Sequence, residues 1–312
     1  MSTQPTLSTP KTILVSPTKV TFALATAPES ATELMNSRVQ LNAKVQFCQI
    51  TDHGTLLLTD ITPFHPVSHI WPDHPADKGV VTINGADIEV TDCLTGAWHV
   101  ETEQLYVGNA IPVKRDEPGW HFVVVHQLAG DVAIAPGAEV ELSVDADYQQ
   151  SLSRPHSGAH LSALALNKVL EQKFWRKEAG RLDALGQYDF HSYAEETSFV
   201  TPNACIDSYR MGKTLKKRGF NNDDFVAALP EVEAAVNAQL NEWLATNQPI
   251  TMRREGDCLT DSRYWQTQLD GKPVSIPCGG THVSHMSELA GLHIALRQNE
   301  NGDVEMITRV PV

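Results

Sequence analysis

The sequence has no Cys-x-x-Cys pair, and its five cysteines (Cys48, Cys93, Cys205, Cys258 and Cys278) are odd in number and far apart. That argues against a disulfide framework and fits reduced thiols, one of them a candidate metal ligand. No apolar run approaches the roughly 20 residues that a membrane-crossing helix needs. The opening MSTQPTLSTPKTILVSPTKV lacks the charged and apolar blocks of a secretory signal, so the expected compartment is the cytoplasm, with no membrane partner. The Walker A, G-x-G-x-x-G, G-x-S-x-G and H-E-x-x-H signatures are missing, which removes the common nucleotide and hydrolase sites. Positive charge is scarce as well. With 24 Lys and Arg against 38 Asp and Glu the net charge is −14, which argues against a broadly basic nucleic-acid binder and leaves room for a local basic face.

What is present is a globular composition: 312 residues, 41% hydrophobic and 20% charged, long enough for two domains. Residues 1–36 are rich in Ser, Thr and Pro around the apolar stretch Val20 to Leu24 and read as an N-terminal extension or an edge strand, with no function assigned. Residues 37–147 carry short β runs (VQLNAKVQFCQI, GTLLLTD, VVTINGADIEV, WHFVVVHQL, AEVELSVD) with a hairpin signal at Asn84-Gly85, the pattern of a β-barrel or sandwich. From 148 to 312 the period changes. HLSALALNKVLEQKFWRKEAGRL has helical spacing, and PEVEAAVNAQLNEWLATN opens on Pro230 and lines up Val232, Val236, Leu240 and Leu244 as a core-packing helix. PITMRRE, WQTQLDGKPVSIPC, GLHIALRQ and VEMITRV follow as β runs. The second half is therefore expected to be α+β with a mostly antiparallel sheet.

Histidine and cysteine at short spacing carry the chemistry. His156 and His160 in RPHSGAHL are expected one helical turn apart on one face, with Pro155 in the helix's first turn. Thirteen histidines would give roughly 0.5 such pairs by chance, and His65 with His69 is a second one, so spacing alone decides little. PCGGTHV adds Cys278 and His282 around a Gly-Gly-Thr that allows a tight loop to fold thiolate and imidazole round one ion. Three imidazoles and one thiolate form a set suited to Zn²⁺.

HSGAHL followed more than a hundred residues later by CGGTHV resembles the split metal motif of the editing domain of alanyl-tRNA synthetases and of the free-standing alanyl-tRNA editing proteins. VELSVDADYQQSLSRPHSGAH and LLLTDITPFHPVSHIWPDHPADKGVV are similar to the family's lead-in and barrel loop. The resemblance covers roughly residues 45–312 and is weak between about 191 and 224. It implies a β-barrel followed by an α+β editing domain, a Zn²⁺ held by His156, His160, Cys278 and His282, and ATP-independent hydrolysis of the ester joining a wrong amino acid to tRNA. With no synthetase core ahead of the motif, a trans-acting enzyme is expected, acting on seryl- or glycyl-tRNA-Ala. Ser157, where the family usually has Thr, either contacts substrate or satisfies a first-turn backbone group. Gly279, Gly280 and Thr281 would shape the loop and present N–H groups to the substrate carbonyl, and Glu288 is taken as structural. The family's barrel loop is Gly-rich, whereas PFHPVSHIWPDHP has no glycine before Gly79 and concentrates His65, His69 and His74, either a second site or packed loop histidines.

The charge is uneven. Residues 151–220 hold 11 Lys and Arg against 7 Asp and Glu, or +4, leaving −18 elsewhere. Lys173, Arg176, Lys177 and Arg181, at helical spacing, and Lys213, Lys216, Lys217 and Arg218 are candidate phosphate contacts for a tRNA partner; the same residues also read as solvated helix faces. Two other functions fit the motifs: a non-catalytic zinc-stabilised module binding RNA or protein, and a metal-dependent hydrolase of a small ester or amide.

Overall fold

The computed structural model describes residues 14–22 and 39–311. Each β run expected between 40 and 144 forms a strand. The strands are β1 (Lys19–Val20), β2 (Gln40–Thr51), β3 (Gly54–Thr59), β4 (Ile61–Thr62), β5 (Gly79–Ile83), β6 (Ala86–His99), β7 (Gln104–Val107), β8 (Trp120–Leu128) and β9 (Glu139–Val144). Asn84 (φ 52°) and Gly85 (φ 80°) both take the left-handed backbone that a two-residue hairpin between β5 and β6 requires. The antiparallel order is β5-β9-β2-β3-β8-β6-β7, and β5 pairs with β6 as well as β9, so six strands form a closed circuit of pairing with β7 outside it. Val45, Leu57, Phe64, Val81, Val124, Leu128 and Leu142 meet inside as one apolar core. Part of the N-terminal extension belongs to this layer. Lys19–Val20 pairs in parallel with Ile61–Thr62, and Val20 and Phe22 are buried; residues 1–13 and 23–38 lie outside the described residues.

The second half is α+β, as expected. Helix α1 (Ala146–Glu171) packs against α5 (Leu229–Ala245), with α2 (Phe190–Ala194), α3 (Lys213–Arg218) and α4 (Asn222–Ala227) as short pieces between them. The sheet is in fact two: β10-β11-β16-β15 (Glu195–Thr201, Ala204–Tyr209, Val304–Arg309, His293–Gln298) and β12-β13-β14 (Thr251–Arg254, Arg263–Leu269, Lys272–Pro277), both antiparallel. Val232, Val236 and Leu240 of α5 are buried, as the stripe requires, and Leu244 is partly buried.

Two expectations about α1 need correction. The helix starts at Ala146, capped by the Asp145 carboxylate accepting from the Tyr148 N–H, so Pro155 lies in its interior and not in its first turn. A proline there leaves the carbonyl four residues earlier without a donor. That carbonyl is Ser151's, and the Asn203 N–H at the β10–β11 turn donates to it at 2.8 Å. A strand turn from elsewhere in the chain thus repairs the helix. At the other end α1 stops at Glu171, so Lys173, Arg176, Lys177 and Arg181 are not on a helix face. Phe174 and Trp175 pack on Phe220 instead, the Arg176 N–H donates to the Gly219 carbonyl, and the Asn221 N–H donates to that of Phe174. Tertiary pairing of 174–176 with 219–221 overrides the helical spacing.

The two halves are joined at Asp77. Its buried Oδ2 accepts from the His65 N–H at 2.8 Å and from Gln149 Nε2 of α1 at 2.6 Å, while Oδ1 has no partner among the described residues. Burial raises this carboxyl from 3.8 to about 7. A folded-state pKa above the ordinary value means that its contribution to stability is complete below the ordinary pKa and is lost as pH rises through about 7. Asp77→Asn removes that titration. The melting temperature of the native chain should therefore fall by several degrees relative to the variant between about pH 4 and pH 8. A difference that stays flat with pH in paired thermal melts would refute this.

Candidate metal centre

The centre forms where α1 meets the loop after β14. His156 and His160, one turn apart on α1, face Cys278 and His282, and the four candidate ligand atoms lie within 4.8 Å of one another. Cys278 Sγ is 3.5 Å from His156 Nε2 and 3.2 Å from His282 Nε2. The rings of His156 and His282 stack with centroids 4.3 Å apart, and His160 is 5.2 Å from each. Among the described residues this is the one His, Cys, Asp and Glu group with metal-binding geometry.

The donor set fits an ion. The pKa values of His156 and His160 are lowered by burial, and that of His282 is pushed well down by burial and by the neighbouring imidazoles, so all three present neutral rings. His160 Nε2 is buried with no hydrogen-bond partner among the described residues. The second nitrogens of His156 and His282 are tied back. His156 Nδ1 lies 3.1 Å from the Thr281 carbonyl and must donate to it, which leaves Nε2 a free lone pair toward Cys278. His282 Nδ1 lies 3.0 Å from Ser157 Oγ, and the same hydroxyl accepts from the Val283 N–H at 3.1 Å. Ligand histidines commonly tie back their second nitrogen in this way. Ser157, fully buried and three turns into α1, therefore orients His282 and does not satisfy a first-turn group.

The second glycine of CGGTH is the sterically restricted one. A Cβ on Gly280 would stand 2.4 Å from His156 Cε1, whereas one on Gly279 would meet only Arg263 Nη2, at 3.4 Å. The N–H groups of Gly279 and Gly280 make no hydrogen bond among the described residues. Thr281 faces the other way: its hydroxyl meets Ser153 Oγ at 2.8 Å and His74 Nε2 at 3.2 Å. Glu288 is structural. It accepts from the N–H groups of Ser284 and His285 and from Gln150 of α1, closing a capping box behind the loop.

Two of the loop histidines join the centre. His65 and His74 are buried, 4.4 Å apart by ring centroid, and His74 is 5.0 Å from His156. Burial lowers His65 to about 3 and His74 well below the usual range. His69 stands aside against Phe122. Their clustering in the loop was visible in the sequence; their approach to His156 was not, because it depends on His74 packing against Thr281, more than two hundred residues away in the chain.

Two cavities flank the ligands, both bounded by Trp71, Asp73, His156 and Cys278. The first, of about 400 Å³, reaches Arg115, Arg263, Phe122, Gly279 and Gly280. The second, of about 630 Å³, reaches His160, His191, Glu195, Ser198 and Asp207. The sequence reading missed His191, Glu195 and Asp207 because they lie in the stretch where the motif resemblance is weakest.

The basic residues expected to bind phosphate come together as well. Lys173, Arg176, Lys177, Lys213 and Lys217 are exposed, the first three on the segment that pairs through 174–176 with 219–221, and the last two on α3, which leads directly into 219–221. Arg181 pairs with Asp189 at 2.9 Å, Lys216 with Asp223 at 3.0 Å, and Arg218 lies 4.3 Å over the Tyr193 ring.

No protein-family model matches the chain. Among curated proteins it is 28% identical over 250 residues to alanyl-tRNA editing protein AlaX-M of Pyrococcus horikoshii, spanning 79% of this chain and 82% of that protein. The chain resembles the alanyl-tRNA editing proteins. It is also 24% identical over 247 residues to the alanine–tRNA ligase of Pyrobaculum calidifontis and 26% identical over 140 residues to that of Caldivirga maquilingensis, matching 23% and 12% of those longer proteins.

We expect purified protein to carry one zinc per chain by metal analysis, and Cys278→Ala or His160→Ala to lose it while keeping the far-ultraviolet spectrum. Gly280→Ala, which displaces His156, should weaken metal binding about tenfold or more in a chelator competition. Unchanged affinity in that variant would show that the glycine is not needed for the ligand geometry.

Proposed function

We propose that the protein is a zinc-dependent hydrolase that deacylates mischarged aminoacyl-tRNA in trans, with seryl- or glycyl-tRNA-Ala as substrate. The observation that carries this reading is a His₃Cys cluster open to two cavities in a chain similar over most of its length to AlaX-M. A closed structural site would have little need of a cavity on either side, which favours the hydrolase over the non-catalytic module.

A zinc ion on His156, His160, Cys278 and His282 would supply Lewis acidity toward the ester carbonyl or a water. The chain's own residues do the positioning. The Gly279 and Gly280 N–H groups, on residues that line the first cavity, would donate to the carbonyl oxygen as negative charge develops there. The Thr281 carbonyl holds the His156 imidazole in one tautomer and one orientation, and the Ser157 hydroxyl orients that of His282. The aminoacyl ester is already activated, so orientation plus carbonyl polarisation asks little more of the protein. The acceptor end of the tRNA would lay its phosphates on Lys173, Arg176, Lys177, Lys213 and Lys217, a local positive face on a chain of net charge −14. The closed strand circuit supports reading residues 37–147 as a β-barrel domain ahead of an editing domain at 148–312, and the compartment we propose is the cytoplasm.

Release of labelled serine from seryl-tRNA-Ala is the test. The metal-replete protein should release it while sparing alanyl-tRNA-Ala, and Cys278→Ala should reduce the rate to background. Reversing charge at Lys213 and Lys217 should raise KM, leave kcat nearly unchanged, and reduce the salt slope of kcat/KM by about one per lysine. Serine release equal to that of the Cys278→Ala variant would overturn the deacylase reading.

A further inference from the structure

The two cavities beside the ligand cluster differ in charge. The first sets Arg115 and Arg263 against Asp73 and Asp261. The second sets Asp73, Asp183, Asp189, Glu195 and Asp207 against Arg181 alone. Most of these acids have structural work. Asp189 pairs with Arg181 and accepts from the Ser192 N–H, and Asp183 accepts from Asn167 and from two backbone N–H groups.

Asp207 and Glu195 differ. Asp207 is 1% exposed; its Oδ1 accepts from Ser198 Oγ at 2.7 Å, while Oδ2 is buried with no hydrogen-bond partner among the described residues. Glu195 is half-buried, and among the described residues its one ion-pair contact is His191 Nε2, at 3.4 Å. Burying carboxylate oxygens without donors is costly, and a cation that brings both charge and N–H groups offsets that cost better than a hydroxyl can. His156, His160 and Cys278 line the same cavity as Asp207, so a cation on Asp207 would share it with the ligand cluster.

We propose that this acidic cavity receives an ammonium group attached next to the scissile carbonyl, with Asp207 and Glu195 as its acceptors. The proposal rests on the deacylase reading and deepens it: the α-ammonium of the aminoacyl group enters the second cavity, and the nucleotide end lies toward Arg115 and Arg263. Asp207 and Glu195 thereby become specificity residues that distinguish a free amine from a blocked one.

The test uses metal-loaded protein and two small probes, L-serinamide and N-acetyl-L-serinamide, titrated by NMR. The native chain should bind the free amine at least about tenfold more tightly, the difference expected when charge-assisted hydrogen bonds are made or lost. Asp207→Asn should bring the two probes within about threefold of each other. Glu195→Gln, at the more exposed end of β10, provides a second variant should Asp207→Asn fail to fold, and it should show the same loss in part. Equal binding of the two probes by the native chain would overturn the proposal, as would a preference that survives both substitutions. A preference lost in the variants, in a protein that releases no serine from seryl-tRNA-Ala, would keep the ammonium site and remove the deacylase reading. Serine release with no preference between the probes would do the reverse.

Discussion

Three imidazoles and a thiol held within one buried volume set the terms for this structure. Each ring must stay neutral to serve as a ligand, and burial enforces that by making the protonated form expensive. Each ring must also be fixed, because a freely turning imidazole would offer either nitrogen. The Thr281 carbonyl fixes His156 and the Ser157 hydroxyl fixes His282. The cluster therefore depends on two elements meeting in register: α1, which brings His156, Ser157 and His160, and the loop after β14, which brings Cys278, Thr281 and His282.

Much of the surrounding architecture maintains that meeting. The interior proline of α1 would break a ladder hydrogen bond at the level of the first ligand, and the Asn203 N–H fills the gap from the β10–β11 turn. Glu288 braces the far side of the loop and reaches Gln150 on the same helix. Asp77 ties the start of α1 to the histidine-rich loop through Gln149 and the His65 N–H, which brings His74 onto Thr281. The helix, the loop and the strand circuit are thus linked by a short chain of buried hydrogen bonds, in which an unpaired polar atom is costly.

The electrostatics extend the same arrangement outward. The cavity on one side of the ligands balances two arginines with two aspartates, whereas the other is lined by five carboxylates and one arginine, so the cluster stands between a balanced cavity and an acidic one. The acidic one suits the cationic end of an aminoacyl ester, which links the charge pattern to the proposed substrate. The net negative charge of the chain coexists with a concentration of exposed basic residues around Lys173 and Lys213, while Lys19, Lys44, Lys78, Lys114 and Lys272 are exposed singly elsewhere.

The sequence by itself determined the four ligand candidates, the strands from Gln40 to Val144, the α5 stripe and the hairpin turn at Asn84-Gly85. These are local properties: a period of two or of 3.6, a residue that tolerates left-handed backbone, a ligand spacing. The tertiary structure alone decided that α1 begins before Pro155 and ends at Glu171, that the two basic clusters lie side by side, and that His74 and Asp207 face the ligand cluster. Each of those outcomes depends on a partner far away in the chain, such as Asn203 for Ser151, Phe220 for Trp175 or Thr281 for His74. Local periodicity specifies which side of an element is buried, but the partner it is buried against is chosen by packing across the whole chain.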